Sequence, residues 1–401
     1  MSDLPVYHVP GPPGEAGFVH GRALEDLLTR PFVEAYVARL AETNRCDPQD
    51  LRAQSRRWLA GLPAHFQEEI EGMGDGCGLG TDPVAAFLYA DIARPTGAES
   101  PGARARRFNP AADPEPPPGE HDLPADDDAE AERESAGGPM CSGVAARLDD
   151  GAAWIARNCD WLIATLTRGT AAVAHAAPNR IPIMAVGIRG DIDVDTGINA
   201  ERLWLHLHTL PALDDPPRDR TCISWLFWAR EALETCATID EVERFIERTA
   251  RDRGVLAIVG DGKTNGAAVF ECSKGGHVRR DADLERPVFA TNHTIVKEID
   301  AEREAKSRAG STVGRFCAIR ARLRDGAPRR GPDDLIDLLA DPGVEMRTPV
   351  NLRTIYSAVA QPAGESVWFA SGGADGRPAA SGGRWARVKP PWRSRGGAVR
   401  R

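Results

Sequence analysis

Met140-Cys141-Ser142-Gly143-Val144-Ala145-Ala146-Arg147-Leu148-Asp149-Asp150-Gly151-Ala152-Ala153-Trp154-Ile155-Ala156-Arg157-Asn158-Cys159-Asp160-Trp161 is the stretch that decides the fold. Two short apolar runs, 142–147 and 152–157, flank Leu148-Asp149-Asp150-Gly151. Asp-Gly between such runs predicts a β-hairpin, because glycine supplies the positive φ that a tight turn needs. A two-residue loop at Asp150-Gly151 sets Cys141 opposite Asp160, and a three-residue loop sets it opposite Cys159. Either register returns the segment Arg157-Asn158-Cys159-Asp160 to the side of Cys141.

Upstream of the hairpin, residues 1–95 read as a helical segment. Asp47-Pro48 is an N-cap followed by proline at the first helical position. A second helix is expected from about Ala64 to Met73, ending in the glycine-rich Gly72–Gly80, and a third starts at Thr81-Asp82-Pro83. Residues 96–140 break the pattern. They are rich in Pro, Ala and acid, with little to bury, and read as a solvated linker ending at Met140.

Downstream, residues 141–375 read as one core. Strands are expected at 181–188, 203–210, 256–260, 267–272, 288–290, 356–359 and 367–370. Helices are expected at 224–236, 238–249, 307–324 and 332–340, and Thr238-x-x-Glu241 forms a capping box. Residues 376–401 read as a basic, solvated tail. The order of elements predicts an α+β protein in which antiparallel sheets carry helices on the outside, rather than a parallel Rossmann sheet. Gly72-x-Gly74-x-Gly76 follows a helix instead of a strand, so it fails as a phosphate-binding fingerprint.

Composition narrows the function classes. The 401 residues are 42% hydrophobic, so a sizeable core can be buried. No stretch approaches the ~20 apolar residues of a membrane span. The net charge of −9 argues against nucleic acid as the main partner. The charge is uneven: residues 111–135 hold ten acids and one base, and residues 376–401 hold eight bases and no acid. The eight cysteines are scattered without a C-x-x-C pair, which is not a disulfide framework. With no basic-then-apolar leader at residues 1–5, the expected location is cytoplasmic.

The hairpin gives Cys141 a chemical use. A free thiol is only partly ionised at neutral pH, and a nearby guanidinium such as that of Arg157 favours the thiolate. A cut between Met140 and Cys141 would place an α-amine on the same residue, with a pKa near ~7.7–8.0 suited to a general base. Asp160 is the group expected to hold that amine. Nucleophile and base would then share one residue. The alternative reading is a packed core cysteine beside a surface ion pair.

Residues 140–146, the Asp-Asp-Gly turn and Ala156-Arg157-Asn158-Cys159-Asp160-Trp161 resemble the nucleophile region of the isopenicillin N acyltransferase-like family of N-terminal nucleophile hydrolases. Gly17-x-x-His20-Gly21, the glycine-ended Glu68–Leu79, Gly197-Ile198-Asn199, Phe270-Glu271-Cys272-Ser273 and Ala290-Thr291-Asn292-His293 are similar to further segments of that family. The resemblance, which extends to acid ceramidase, implies an αββα sandwich and autoproteolysis at Met140-Cys141. It also implies amide-bond chemistry through an acyl-enzyme thioester, with Cys141, Arg157, Asp160 and Asn292 catalytic and the Asn292 amide in the oxyanion hole. The substrate class is a small N-acyl amide or short peptide, with hydrolysis and acyl transfer both open. No cofactor is implied beyond acyl-CoA as a possible co-substrate.

Trp161 and Arg315 are candidate substrate contacts, Arg315 for an acid group. His206, His208, Cys272 and His277 lack zinc-like spacing, so no metal is expected. The rival reading is an unprocessed, catalytically silent relative that acts as a binding or scaffold protein. Oligomeric state is not legible.

Overall fold

The Cys141 hairpin closes with the three-residue loop. In the computed structural model, Leu148 N–H donates to Ala152 O, and Gly151 takes φ +75°. Asp150 accepts from the Ala152 amide and from the Trp154 indole N–H, which pins the turn. Cys141 therefore faces Cys159, and Met140 faces Asp160. The structure describes residues 4–43, 46–92, 140–210, 220–282, 286–295, 312–325, 330–347, 352–373 and 375–393. The acidic linker expected at 96–140 lies outside the described residues except for Met140.

The elements run β1 (Val6–Pro10), α1 (Pro13–Ala23), α2 (Arg30–Thr43), α3 (Pro48–Gly61), α4 (Ala64–Cys77) and α5 (Thr81–Ile92). Then come β2 (Met140–Arg147), β3 (Ala153–Leu162), β4 (Thr170–Ala176), β5 (Ile183–Ile188), β6 (Thr196–Asn199), β7 (Leu203–Leu210) and β8 (Thr221–Ile223). Next are α6 (Trp225–Thr235), α7 (Ile239–Arg248), β9 (Thr249–Arg251), β10 (Gly254–Asp261), β11 (Gly266–Cys272), β12 (His277–Asp281) and β13 (Val288–Ala290). The chain continues with α8 (Thr312–Asp325), α9 (Pro332–Leu339), β14 (Leu352–Gln361), β15 (Ser366–Ser371), α10 (Ala379–Gly382) and β16 (Ala386–Val388).

Two sheets form the centre. One has the order β13-β2-β3-β14-β15-β16, the other β1-β4-β5-β6-β7-β10-β11-β12. All pairings within them are antiparallel except β1 with β4. They pack face to face through glycines. A Cβ on Gly143 would lie 2.7 Å from His206 Nε2, and one on Gly260 would lie 2.3 Å from Ile155 Cδ1. Helices α6 and α7 cover the outside of the larger sheet, and α8, α9 and α10 cover the smaller. The α+β sandwich is thus as the sequence predicts, preceded by a helical segment.

Because both faces are covered, β3 is buried at every position, its polar Arg157, Asn158 and Asp160 included. Side chains nevertheless alternate in direction. Ile155, Cys159 and Trp161 join the core between the sheets, whereas Trp154 and Ala156 join the cluster of Leu335, Leu338 and Leu339 under α9. On β2, Ala145 faces the sheets, and Val144 and Ala146 face the helices.

Three expectations change. Strand β1 escaped notice because its pairing with β4 is non-local. Helix α4 does not end at Met73 but runs to Cys77 and stops at Gly78, which takes φ +72°. The segment after Asp375, read as a solvated tail, is built in as far as Arg393: β16 pairs with β15, and the buried Glu345 carboxylate accepts the amides of Ala380 and Ser381.

The glycines inside α4 are explained by α1. Cβ atoms added at Gly17, Gly21, Gly72 or Gly76 would lie 1.9, 2.2, 2.1 and 2.2 Å from carbonyl oxygens of the facing helix. Each interior glycine costs a helix about 1 kcal/mol relative to alanine, and here the close backbone approach offsets that. Gly17→Ala is expected to lower stability by about 1–3 kcal/mol through overpacking, despite its better helix propensity. Chemical denaturation of the two proteins reads this, and an unchanged or raised midpoint would contradict the seam.

Candidate active site

Strand parity sorts the charged residues of the hairpin onto two faces. Cys141 and Arg157 share the face between the sheets. Arg157 Nη2 donates to Cys141 Sγ at 3.1 Å. The same guanidinium reaches the opposite sheet, pairing with Asp195 Oδ2 at 3.0 Å and donating to Asp195 O at 2.8 Å and Thr196 Oγ1 at 2.5 Å. Burial opposes the Arg157 charge most strongly, but Asp195, Tyr356, Cys141 and Cys159 together hold its pKa well above the ordinary value. Tyr356 completes the bridge, donating to Asp195 Oδ2 and contacting Thr196 Oγ1, each at 2.9 Å.

Asp160 falls on the other face. It does not meet the Cys141 nitrogen, where it was expected. Its Oδ1 accepts from Thr354 Oγ1 at 2.6 Å and its Oδ2 lies 3.5 Å from Arg315 Nη1. Arg315 was expected to meet a substrate's acid group. It is instead fully buried beneath Cys141, donating to Cys141 O at 2.5 Å, Ser142 Oγ at 2.8 Å and Asn292 Oδ1 at 3.1 Å. Burial raises the Asp160 carboxyl to about 6, although Arg315 and Thr354 pull it down.

Asn292 occupies the place at the nitrogen. Cys141 N–H donates to Asn292 Oδ1 at 2.7 Å. The Asn292 Nδ2 donates to Thr209 O at 2.9 Å and approaches Thr209 Oγ1 at 3.3 Å. An amide donor on one side and a carbonyl on the other fix which end of the side chain is which. Cys141 is therefore held at three points: nitrogen by Asn292, carbonyl by Arg315, sulfur by Arg157.

The neighbouring Cys159 is of another kind. Burial, then its hydrogen bond with Cys141, push its thiol well above the ordinary value. It stays protonated and donates to Asp195 Oδ2 at 3.4 Å. Cys159, Asp195 and Tyr356 line a cleft that is open to solvent. Trp161 lines it, with Leu226 and Ile355, and stacks on Trp225 at 6.5 Å. Among described residues the one group with metal-ligand geometry is remote from Cys141: His65, Glu231 and Glu234. Arg180 already pairs with Glu231 at 2.6 Å, and Arg230 with Glu234 at 2.9 Å.

Sequence reasoning did not find Asp195, Thr196, Tyr356, Thr209 or Thr354. The one signal available was Asp191-x-Asp193-x-Asp195, an alternation of acids with Ile192 and Val194 that places three carboxylates on one side of an extended segment.

The family model described as acyl-coenzyme A:6-aminopenicillanic acid acyl-transferase matches residues 147–375. The chain belongs to this family. The match begins after Cys141, so the nucleophile assignment rests on the geometry and the hairpin motif. No curated protein matches the sequence. Among solved structures, the chain is similar to a mutant of conjugated bile acid hydrolase from Clostridium perfringens, with 11% identity, TM-score 0.45, and coverage of 62% of this chain and 92% of that one. It is also similar to penicillin V acylase from Agrobacterium tumefaciens, with 14% identity, TM-score 0.41, and coverage of 58% and 83%. A third is the Caenorhabditis elegans ortholog of N-acylethanolamine-hydrolyzing acid amidase, with 16% identity, TM-score 0.41, and coverage of 56% and 93%.

The raised Asp160 pKa has a stability consequence. A carboxyl whose folded pKa exceeds its unfolded value contributes stability that is full below about 4 and is lost as pH rises through about 6. Relative to Asp160→Asn, the wild type should therefore weaken between pH 4 and 7, by on the order of 3 kcal/mol at most. Melting temperatures of both proteins across that range test it, and a flat difference would refute it.

Proposed function

We propose that the protein is an autoprocessed cysteine amidohydrolase or acyltransferase whose nucleophile is Cys141. The observation that carries this reading is the three-point hold on Cys141 by Asn292, Arg315 and Arg157. The three contacts fix both backbone ends of the residue and set a buried guanidinium against its sulfur. Family membership supports acyl transfer as the chemistry.

In self-cleavage, Cys141 Sγ attacks the Met140 carbonyl carbon. The S–C bond forms, the Met140–Cys141 C–N bond breaks, and the thiol proton passes to the departing nitrogen. Water then hydrolyses the thioester, leaving a carboxylate on Met140 and a free amine on Cys141. That amine retains a hydrogen for Asn292 Oδ1, which leaves its lone pair to take the Sγ proton in the next reaction. In turnover, Sγ attacks an acyl-amide carbonyl, the amine proton goes to the leaving nitrogen, and water or an acceptor amine resolves the thioester.

Arg157 supplies a fixed positive charge beside the reacting sulfur. We assign Asn292 to the oxyanion as well. In the intact chain its Nδ2 is occupied by Thr209, so donation to an oxyanion requires that bond to be exchanged. Asp160 acts through Arg315, as a positioning residue.

Intact mass and N-terminal sequencing test the maturation step. Wild type is expected to yield fragments 1–140 and 141–401, and Cys141→Ala an uncut chain with no turnover of N-acyl amides. An uncut wild type without thiol reactivity at Cys141 would instead leave the protein as an unprocessed binding protein. Arg157→Lys keeps the charge but loses the fork to Asp195 and Thr196. Its kcat should fall roughly 10²–10³-fold, as for loss of a preorganised donor, and a kcat near wild type would remove Arg157 from the mechanism.

A further inference from the structure

The cleft beside Cys141 sets four carboxylates, those of Asp91, Asp191, Asp193 and Asp195, among largely apolar walls, with Cys159, Thr165 and Tyr356 as its other polar groups. Three of them have partners. Asp91 and Asp191 both pair with the buried Arg168, and Asp195 pairs with Arg157. Asp193 is 7% exposed, lines the cleft and makes no hydrogen bond or ion pair among the described residues. The cleft thus sets four acids against two guanidiniums. A buried carboxylate with no partner is unfavourable unless a ligand supplies one.

We propose that Asp193 is a specificity residue that receives the ammonium group of a cationic substrate, an N-acyl amide bearing a protonated amine on an apolar spacer. This deepens the amide-cleaving function proposed above and rests on it for the identity of the reaction. The apolar walls, Val173, Val186, Ile188 and Leu226, suit the spacer, and the Trp161 indole lines the cleft with them. A metal ion fits less well, because among the described residues no three of these carboxylates bring oxygens within 4.8 Å of one another.

Electrostatics agree with the geometry. Burial, then Asp191 and Asp195, push the Asp193 carboxyl well above the ordinary range, with Asp91 adding to the shift and Arg168 opposing it. Asp191 is itself raised to about 6 by burial, against the pull of Arg168. The remaining groups facing this corner are Cys159, Thr165 and Tyr356. In the empty cleft Asp193 retains its proton at pH values where an ordinary aspartate has lost it. Ammonium binding favours the carboxylate and releases that proton, so affinity for a cation rises with pH until the Asp193 pKa of the empty cleft is reached, then levels.

The test is calorimetric binding of hexylammonium and hexan-1-ol to the full-length protein and to Asp193→Asn and Asp193→Glu, with folding checked by circular dichroism. The wild type is expected to prefer hexylammonium by about tenfold or more, as for one charge-assisted contact. The asparagine variant should lose that preference and the glutamate variant should keep most of it. A wild-type ratio near one, an asparagine variant with the ratio intact, or displacement of hexylammonium by Ca²⁺ alone would overturn the assignment. A kinetic arm compares 6-aminohexanoyl with hexanoyl anilides. Ammonium preference in binding with neither anilide cut would sink the enzymatic reading and keep the cation site. Cleavage of both anilides with no charge preference in binding would do the reverse.

Discussion

The ion pair between Arg157 and Asp195 is the constraint around which the molecule is arranged. It joins the two sheets: the guanidinium rises from β3 and the carboxylate sits at the start of β6. A buried cation is costly unless it is paired and hydrogen-bonded. The two terminal nitrogens of Arg157 are engaged by Asp195 O, Thr196 Oγ1, Asp195 Oδ2 and Cys141 Sγ, while its Nε has no partner among the described residues. Removing one partner of such a pair typically costs about 3–5 kcal/mol. The spacing of the sheets at this point is therefore set by a polar contact that also fixes the thiol.

The period of two along β2 and β3 divides the labour. The face between the sheets carries the sulfur and its cation, and the opposite face carries Asp160, which anchors Arg315 under the backbone of Cys141. One face positions the Cys141 sulfur, and the other immobilises the peptide unit to which it is attached. The loop length settles which residue goes where. A loop one residue shorter would have put Asp160 opposite the cysteine, so a turn some ten residues from the site determines its composition.

Much of this was written locally in the chain. The Asp-Gly turn, the capped helix at Thr238, the proline-started helix at Pro48 and the strands expected at 256–260 and 267–272 all follow from short-range chemistry, and each is where the sequence puts it. The convergence of Arg157 and Asn292 on Cys141 was expected from the hairpin and from family resemblance. The atoms used were not. Register was ambiguous by one residue, and that single step exchanges Asp160 for Asn292 at the nitrogen. Asp195, Thr196 and Tyr356 come from distant parts of the chain, and the alternating acids at 191, 193 and 195 are the one local mark among them. The glycines of α4 read as a helix end because their purpose lies on another helix.

The position of the N-terminal segment gives the Met140–Cys141 junction a further meaning. Strand β1 is a member of the larger sheet, paired with β4, and Glu69 of α4 is buried against Arg230 of α6 at 2.7 Å. Asp91, from the end of α5, reaches Arg168 and lines the cleft. All of these contacts link residues before the junction to residues after it. If the bond is severed, the two pieces do not become a detached prosegment and a free enzyme. They become the subunits of a heterodimer born from one gene product, sharing a sheet and the lining of one cleft.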